Sequence, residues 1–205
     1  MTSYSFPDAA RAIVETGRWL DGKGWAPATS GNYSCRLDDG SFAVTVSGRH
    51  KGRLNEDDVM RVDGAGISLD GKRPSAETGL HLAVYAKFPD CGAVLHSHSP
   101  AAVAMTRAYP ALARWEFAGH EMLKALPGIK THDTRVMLPI VDNDQDMAVI
   151  WDSVSPILDA VPAYLIRSHG LYGWGADMAE AERVIEAVEW LIMAELAEAQ
   201  FRSKS

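Results

Sequence analysis

Residues 91–108, CGAVLHSHSPAAVAMTRA, hold an apolar run of strand length that ends in two histidines and gives way at once to Pro100 and a helical stretch. Proline suits the first turn of a helix, where its missing N–H has no partner to lose. The segment therefore reads as a buried strand passing directly into a helix. A strand without polar alternation is covered on both faces, which requires helices on both sides of a sheet. A layered α/β architecture is the first expectation.

The rest of the chain fits that frame as alternating helices and strands. Residues 8–20 place Ala10, Ile13, Val14, Gly17 and Leu20 at helical spacing, with Asp8 as the expected N-cap. YSCRL, FAVTVSG and VMRVD are short, rich in β-branched or aromatic residues and separated by turn residues, and they predict an antiparallel meander. SAETGLHLAVYAKF predicts a helix. RVMLPIV, AYLIRSHG and LYGWG predict strands, with a helix around 145–160 between the first two. A long C-terminal helix from about Asp177 to Phe201 shows an apolar face of Ala181, Val184, Val188, Leu191, Ile192 and Leu196. The sum is a mixed, largely antiparallel sheet flanked by helices. No repeat, low-complexity tract or linker divides the 205 residues, so one domain spanning 1–205 is expected.

Composition excludes several classes of function. A formal net charge of -7 is the wrong sign for a general nucleic-acid surface, so any anionic ligand must be held by a local basic pocket. No apolar run approaches the ~18 residues that would span a bilayer, and the N-terminus lacks a basic leader followed by an apolar core. No membrane partner and a cytoplasmic location are expected. Two cysteines, Cys35 and Cys91, are too few for a disulfide framework and read as reduced thiols.

Residues i and i+2 of a strand face the same way, so His96 and His98 can aim their imidazoles at one point while Ser97 points oppositely. That arrangement suits a metal. Catalytic zinc usually takes three protein ligands and keeps a position open, and His169 in LIRSHGLYGWG is the best third candidate, with Gly170 letting the backbone turn. His50, His81, His120 and His132 sit in polar turns or on predicted helices and are not counted as ligands. An HxH pair alone is a weak signal; the third histidine and its setting carry the argument.

Taken in order, TSGNYS, VTVSGRHKGRL, PSAETGLH, AVLHSHSPAAVA and LIRSHGLYGWG resemble the class II aldolase superfamily over about residues 10–200. Within it, GHEMLKALPGIKTHDTRVMLPIVDNDQDM is similar to the methylthioribulose-1-phosphate dehydratases of methionine salvage. The resemblance implies a class II aldolase-like three-layer fold with a central, mostly antiparallel sheet. It implies that His96, His98 and His169 hold one Zn2+ per subunit. The reaction it implies is zinc-dependent dehydration of 5-methylthioribulose 1-phosphate to 2,3-diketo-5-methylthiopentyl 1-phosphate, a hydro-lyase activity on a sugar phosphate.

Further roles follow from the same resemblance. Glu121 matches the acid–base carboxylate of the dehydratases, and Glu77 falls where the aldolase branch carries its catalytic glutamate. Glu121 is favoured as the proton shuttle, with Glu77 approaching the metal or assisting. Thr29, Ser30, Gly31, Asn32, Ser47, Gly48 and Ser75 resemble the phosphate-binding segments, and Lys51 would add a charge-assisted contact. Arg49, His50 and Arg53 read as a solvated loop. A homotetramer is expected, since relatives are commonly tetramers with active sites near subunit interfaces. The competing expectations are a class II sugar-phosphate aldolase or 4-epimerase, which would use the same histidines, and a non-catalytic module like the adducin head, which would lack them.

Overall fold

A computed structural model describes residues 3–158 and 161–202. It is built on one eight-stranded sheet. Helix α1 (Phe6–Gly22) leads into β1 (Asn32–Arg36), β2 (Phe42–Thr45) and β3 (Val59–Val62), followed by α2 (Thr78–Lys87), β4 (Ala93–Ser97) and α3 (Pro100–Ala108). Then come β5 (Arg114–Ala118), β6 (Arg135–Val141), α4 (Met147–Val154), β7 (Ala163–Ile166), β8 (Gly170–Gly175) and α5 (Met178–Arg202). The strand order is β3-β2-β1-β4-β8-β7-β6-β5. Among the named strands of the described residues, β6 and β7 pair in parallel and the other ladders are antiparallel.

Each face of the sheet has its own core. Leu95 and Leu171 point to the side covered by α1, α3 and α5, where Ile13, Met105, Val184 and Val188 pack. Val94, Tyr164, Tyr172 and Trp174 point to the side covered by α2 and α4, where Leu80, Val84, Ile150 and Val154 pack. Every residue of β4 is buried, which is why its sequence shows no polar alternation. Period two assigns its side chains: Val94 and His96 to the α2 side, Leu95 and Ser97 to the α5 side.

Three sequence expectations change. Ser5, not Asp8, caps α1: its hydroxyl accepts from Asp8 N–H, and Asp8 sits in the first turn, where a carboxylate favours the helix dipole. The helix around 145–160 is shorter. It starts on the Asp146 cap and gives way to a 3-10 turn at Ser155–Ile157, where Pro156 stands, while residues 159–160 lie outside the described residues. Strand β5 is an addition to the expected elements: RWEFA alternates polar and apolar residues, with Phe117 buried and Trp115 packed against the same core, but it is only five residues long and lies at the sheet edge, where most of its side chains stay partly or fully exposed. No helix among the described residues is long and apolar enough to cross a membrane.

Candidate metal centre and phosphate pocket

The three predicted histidines meet. His96 and His98 project from the end of β4, and His169 stands in the tight turn between β7 and β8. Their ring centroids are 4.5 Å (His96–His98), 5.0 Å (His96–His169) and 4.7 Å (His98–His169) apart. Glu77, at the N-terminal boundary of α2, closes the group, with carboxylate oxygens 3.0 Å from His169 Nε2 and 3.5 Å from His96 Nε2. One ligand atom from each of the four lies within 4.8 Å of all the others.

The turn that presents His169 has a specific cause. The left-handed residue is Ser168 (φ 59°), not the expected Gly170. A serine in that region is held by its surroundings, and its N–H donates to Thr106 Oγ1 at 3.0 Å. Gly170 is needed for closeness instead: a Cβ there would lie 2.0 Å from the Ser97 carbonyl oxygen, so a side chain would push β8 away from β4. Gly31 does the same on the other flank. It combines φ +78° with a Cβ position 2.8 Å from the His96 carbonyl, which seats Asn32 against the site.

The donor chemistry fits a divalent cation. His96 Nδ1 donates to the Leu171 carbonyl at 3.1 Å, and His169 Nδ1 donates to Asn143 Oδ1 at 3.2 Å. Both rings are thereby fixed as the tautomer whose Nε2 lone pair is free, and those two lone pairs face each other at 3.4 Å. Without a cation that approach is repulsive; about 3.3 Å is the donor–donor separation of tetrahedral zinc with nitrogen ligands at about 2.05 Å. Burial lowers the imidazole pKa values, to about 4 for His96 and about 3 for His98, where neighbouring imidazoles add to the effect. At Glu77 burial opposes ionisation, but any positive charge on His96 or His169 and the hydrogen bond from Asn32 favour it, and the carboxyl lies well below its usual range. Neutral imidazoles around an ionised carboxylate form a ligand set for a 2+ ion.

Beside this cluster lies a cavity of about 290 Å³ lined by Thr29, Ser30, Gly31, Asn32, Thr45, Val46, Ser47, Gly48, Lys51, Ser75, Glu77 and His98. It contains all eight predicted phosphate residues. Lys51 is 2% exposed, an unusual position for a lysine. Its ammonium donates to the carbonyls of Thr29 (3.0 Å) and Arg49 (2.6 Å), and its third N–H is left for a ligand. Burial lowers its pKa to about 8, with Glu77 acting in the opposite direction.

Glu121 is elsewhere. It opens a 3-10 turn after β5, pairs with Lys124 at 2.5 Å and His132 at 3.4 Å, and its side chain is 70% exposed. Strand β5 stands four places from β4 in the sheet, roughly 19 Å at about 4.8 Å per strand, so a chain's own Glu121 does not meet its own histidines. Sequence reasoning also passed over Asn143, Thr106 and His81. Asn143 lies in VDNDQDM, a run that reads as a solvated helix cap, and nothing local signals its partner 26 residues away.

Comparison with known proteins identifies the family of the chain. The family described as Class II Aldolase and Adducin N-terminal domain matches residues 11–196. A methylthioribulose-1-phosphate dehydratase from Methylococcus capsulatus is 49% identical, covering 93% of this chain and 94% of its own. One from Pseudomonas savastanoi pv. phaseolicola is 52% identical over 90% and 92%. Among solved structures, YgbL of Klebsiella pneumoniae, a putative aldolase/epimerase/decarboxylase, superposes with TM-score 0.81 at 23% identity over 95% and 91%. The L-fuculose-1-phosphate aldolase of Thermus thermophilus superposes with TM-score 0.76 at 24% identity over 96% of both chains. These two likenesses concern the fold. The chain belongs to the class II aldolase and adducin N-terminal domain family, and within it to the branch of the methylthioribulose-1-phosphate dehydratases.

Proposed function

We propose that this protein is a metal-dependent hydro-lyase that converts 5-methylthioribulose 1-phosphate to 2,3-diketo-5-methylthiopentyl 1-phosphate, a step of methionine salvage. The observation that carries the reading is the adjacency of the two halves of the site. His98 and Glu77 belong both to the metal cluster and to the wall of the polar cavity that holds Lys51. A ligand with a phosphate in that cavity has its adjoining carbons at the cluster. That matches a 2-keto sugar 1-phosphate, whose ketone is one carbon from the phosphoester.

His96, His98 and His169 would hold the ion, which we propose is Zn2+, one per subunit. When bound, it supplies Lewis acidity to a ketone oxygen. The chain's residues do the rest. Lys51 and the Thr29–Asn32 and Ser47–Gly48 turns, with Ser75, bind and orient the phosphate. Dehydration takes the proton from C3 and expels the C4 hydroxyl, which receives a proton and leaves as water. The resulting enol ketonises to the diketone. A carboxylate or equivalent acid–base group is required to move the proton. We assign that role to Glu121 of a neighbouring copy, because a chain's own Glu121 lies on its surface away from its histidines. Glu77 orders the histidines and assists. A homotetramer with sites near subunit boundaries accommodates this arrangement.

The test is an assay of the zinc-loaded protein on 5-methylthioribulose 1-phosphate, following diketone, with cleavage of fuculose 1-phosphate run in parallel. Diketone without cleavage is expected. Cleavage without diketone overturns the dehydratase reading in favour of an aldolase.

A further inference from the structure

One histidine outside the metal cluster is more deeply connected to it than its sequence position suggests. His81 sits on α2 one turn beyond Glu77 and is 2% exposed. Glu77, His81 and Tyr85 are spaced by four and lie along one face of the helix. Asn32 and Ser34 are spaced by two and lie along one face of β1. The two faces interlock as a single run of hydrogen bonds. Asn32 Nδ2 lies 2.5 Å from Glu77 Oε2, and His81 Nε2 contacts Asn32 Oδ1. Ser34 Oγ lies 2.7 Å from His81 Nδ1 and 2.9 Å from the Tyr85 hydroxyl.

With His81 neutral, only one direction of donation satisfies every member. The ionised Glu77 can only accept, so the Asn32 amide must turn its NH2 toward it and its oxygen toward His81. His81 Nε2 must then carry a hydrogen, which leaves Nδ1 as an acceptor for the Ser34 hydroxyl. Ser34 in turn accepts from Tyr85. We propose that His81 is a positioning residue for the reaction: through Asn32 it holds the Glu77 carboxylate in place between His96 and His169. The proposal rests on reading Glu77 as part of the metal site. Burial lowers the His81 pKa to about 4, consistent with the neutral ring that the chain of donors requires.

The direct test needs no metal and no turnover. Long-range 1H–15N correlation spectra of the metal-free full-length protein report the tautomer of each histidine. His81 should be neutral with its hydrogen on Nε2, and in Ser34→Ala the population with hydrogen on Nδ1 should rise. A wild-type His81 found protonated on Nδ1 overturns the proposal. A second test reads the resting site by the visible absorption of the cobalt(II)-loaded protein. His81→Phe should alter that spectrum and lower kcat/KM by about 10- to 100-fold, the usual cost of removing such a support. His81→Gln, whose amide N–H can replace Nε2–H, should restore most of both. A His81→Phe protein that melts earlier but keeps wild-type spectrum and kcat/KM shows a merely structural histidine and overturns the proposal. Glu77→Gln separates the underlying reading: if it leaves the cobalt spectrum unchanged, Glu77 is not part of the site, whatever tautomer His81 shows.

Discussion

His96 and Tyr172 face one another across the β4–β8 ladder, and their rings stack with centroids 4.1 Å apart at an interplanar angle of 17°. The tyrosine ring covers the face of an imidazole that is fully buried, and the Leu171 carbonyl takes its Nδ1–H. The imidazole is thus fixed in plane and in tautomer by the protein alone. Accordingly His96→Ala and His169→Ala should each purify with background metal and no turnover. Tyr172→Phe, which keeps the stacked ring, should retain about one metal equivalent, whereas Tyr172→Ala should bind metal about 10-fold more weakly or worse. Elemental analysis and competition with a chelator give the numbers; equal metal affinity in all three forms of residue 172 would show that the stack does not hold the ligand.

The separation between Glu121 and the histidines makes the acid–base assignment testable by mixing. Glu121→Gln should keep its metal and lose about 100-fold or more of kcat, the range for a general acid–base group. His96→Ala should be inactive for a different reason. If one copy supplies Glu121 and another supplies the histidines, co-assembly of the two variants in equal amounts restores about one quarter of the sites to full complement. Turnover near that fraction is expected. Mixed assemblies as inactive as their parents would remove Glu121 from the shared site and leave Glu77 as the proton-transfer group.

Much of this site was readable in the sequence because its chemistry is local. His96 and His98 belong to a two-residue period within one strand, and the Thr29–Asn32 and Ser47–Lys51 segments are continuous turns. The helices and most strands were readable for the same reason, since their apolar spacing records which face is covered. What was hidden is long-range. The left-handed Ser168 has no glycine to announce it, and its support, Thr106, lies 62 residues away. His81 looks like any helical histidine until β1 is placed beside α2. The distance of Glu121 from the histidines depends on strand order, which periodicity does not encode.

Lys51 ties the phosphate cavity to a measurable pH effect. Its buried ammonium already holds two backbone carbonyls, so a phosphate bound as proposed would receive a charge-assisted bond from a preorganised donor. Lys51→Met fills the same space without the charge and should lose about 2 kcal/mol of binding, roughly a 30-fold rise in KM, with a smaller change in kcat. In the free wild-type enzyme the lysine is charged below its lowered pKa of about 8 and neutral above it. KM should therefore rise as pH passes 8, and the Met variant should lack that rise. Parallel KM profiles for the two proteins would place the phosphate elsewhere.

Glu189 offers the clearest link between the site and stability. It lies on α5 with no exposed surface, on the face of β4 opposite the metal cluster, and takes hydrogen bonds from Ser97 Oγ at 3.2 Å and Ser99 Oγ at 2.5 Å. Ser99 also caps α3 through the N–H of Ala102, so one carboxyl group ties α5 to the strand end that bears His96 and His98. Burial raises its pKa to about 7, and the two serine hydroxyls only partly offset that effect. The sign follows from linkage. Between about 4.5 and 7 the unfolded chain releases a proton that the folded protein keeps, so rising pH favours unfolding across that window. The loss approaches about 3 kcal/mol above pH 7, from a rise of about 2.5 in pKa at about 1.36 kcal/mol each. Glu189→Gln cannot ionise and still offers an oxygen to one serine and an N–H to the other. Denaturant unfolding at pH 5 and pH 8 should show wild type losing more stability over that interval than Glu189→Gln. Because Glu182, whose pKa burial also raises, is present in both proteins, the difference between them isolates Glu189. The same pH dependence in both would mean that Glu189 is already ionised in the folded protein at pH 5, with its two serines sustaining the charge.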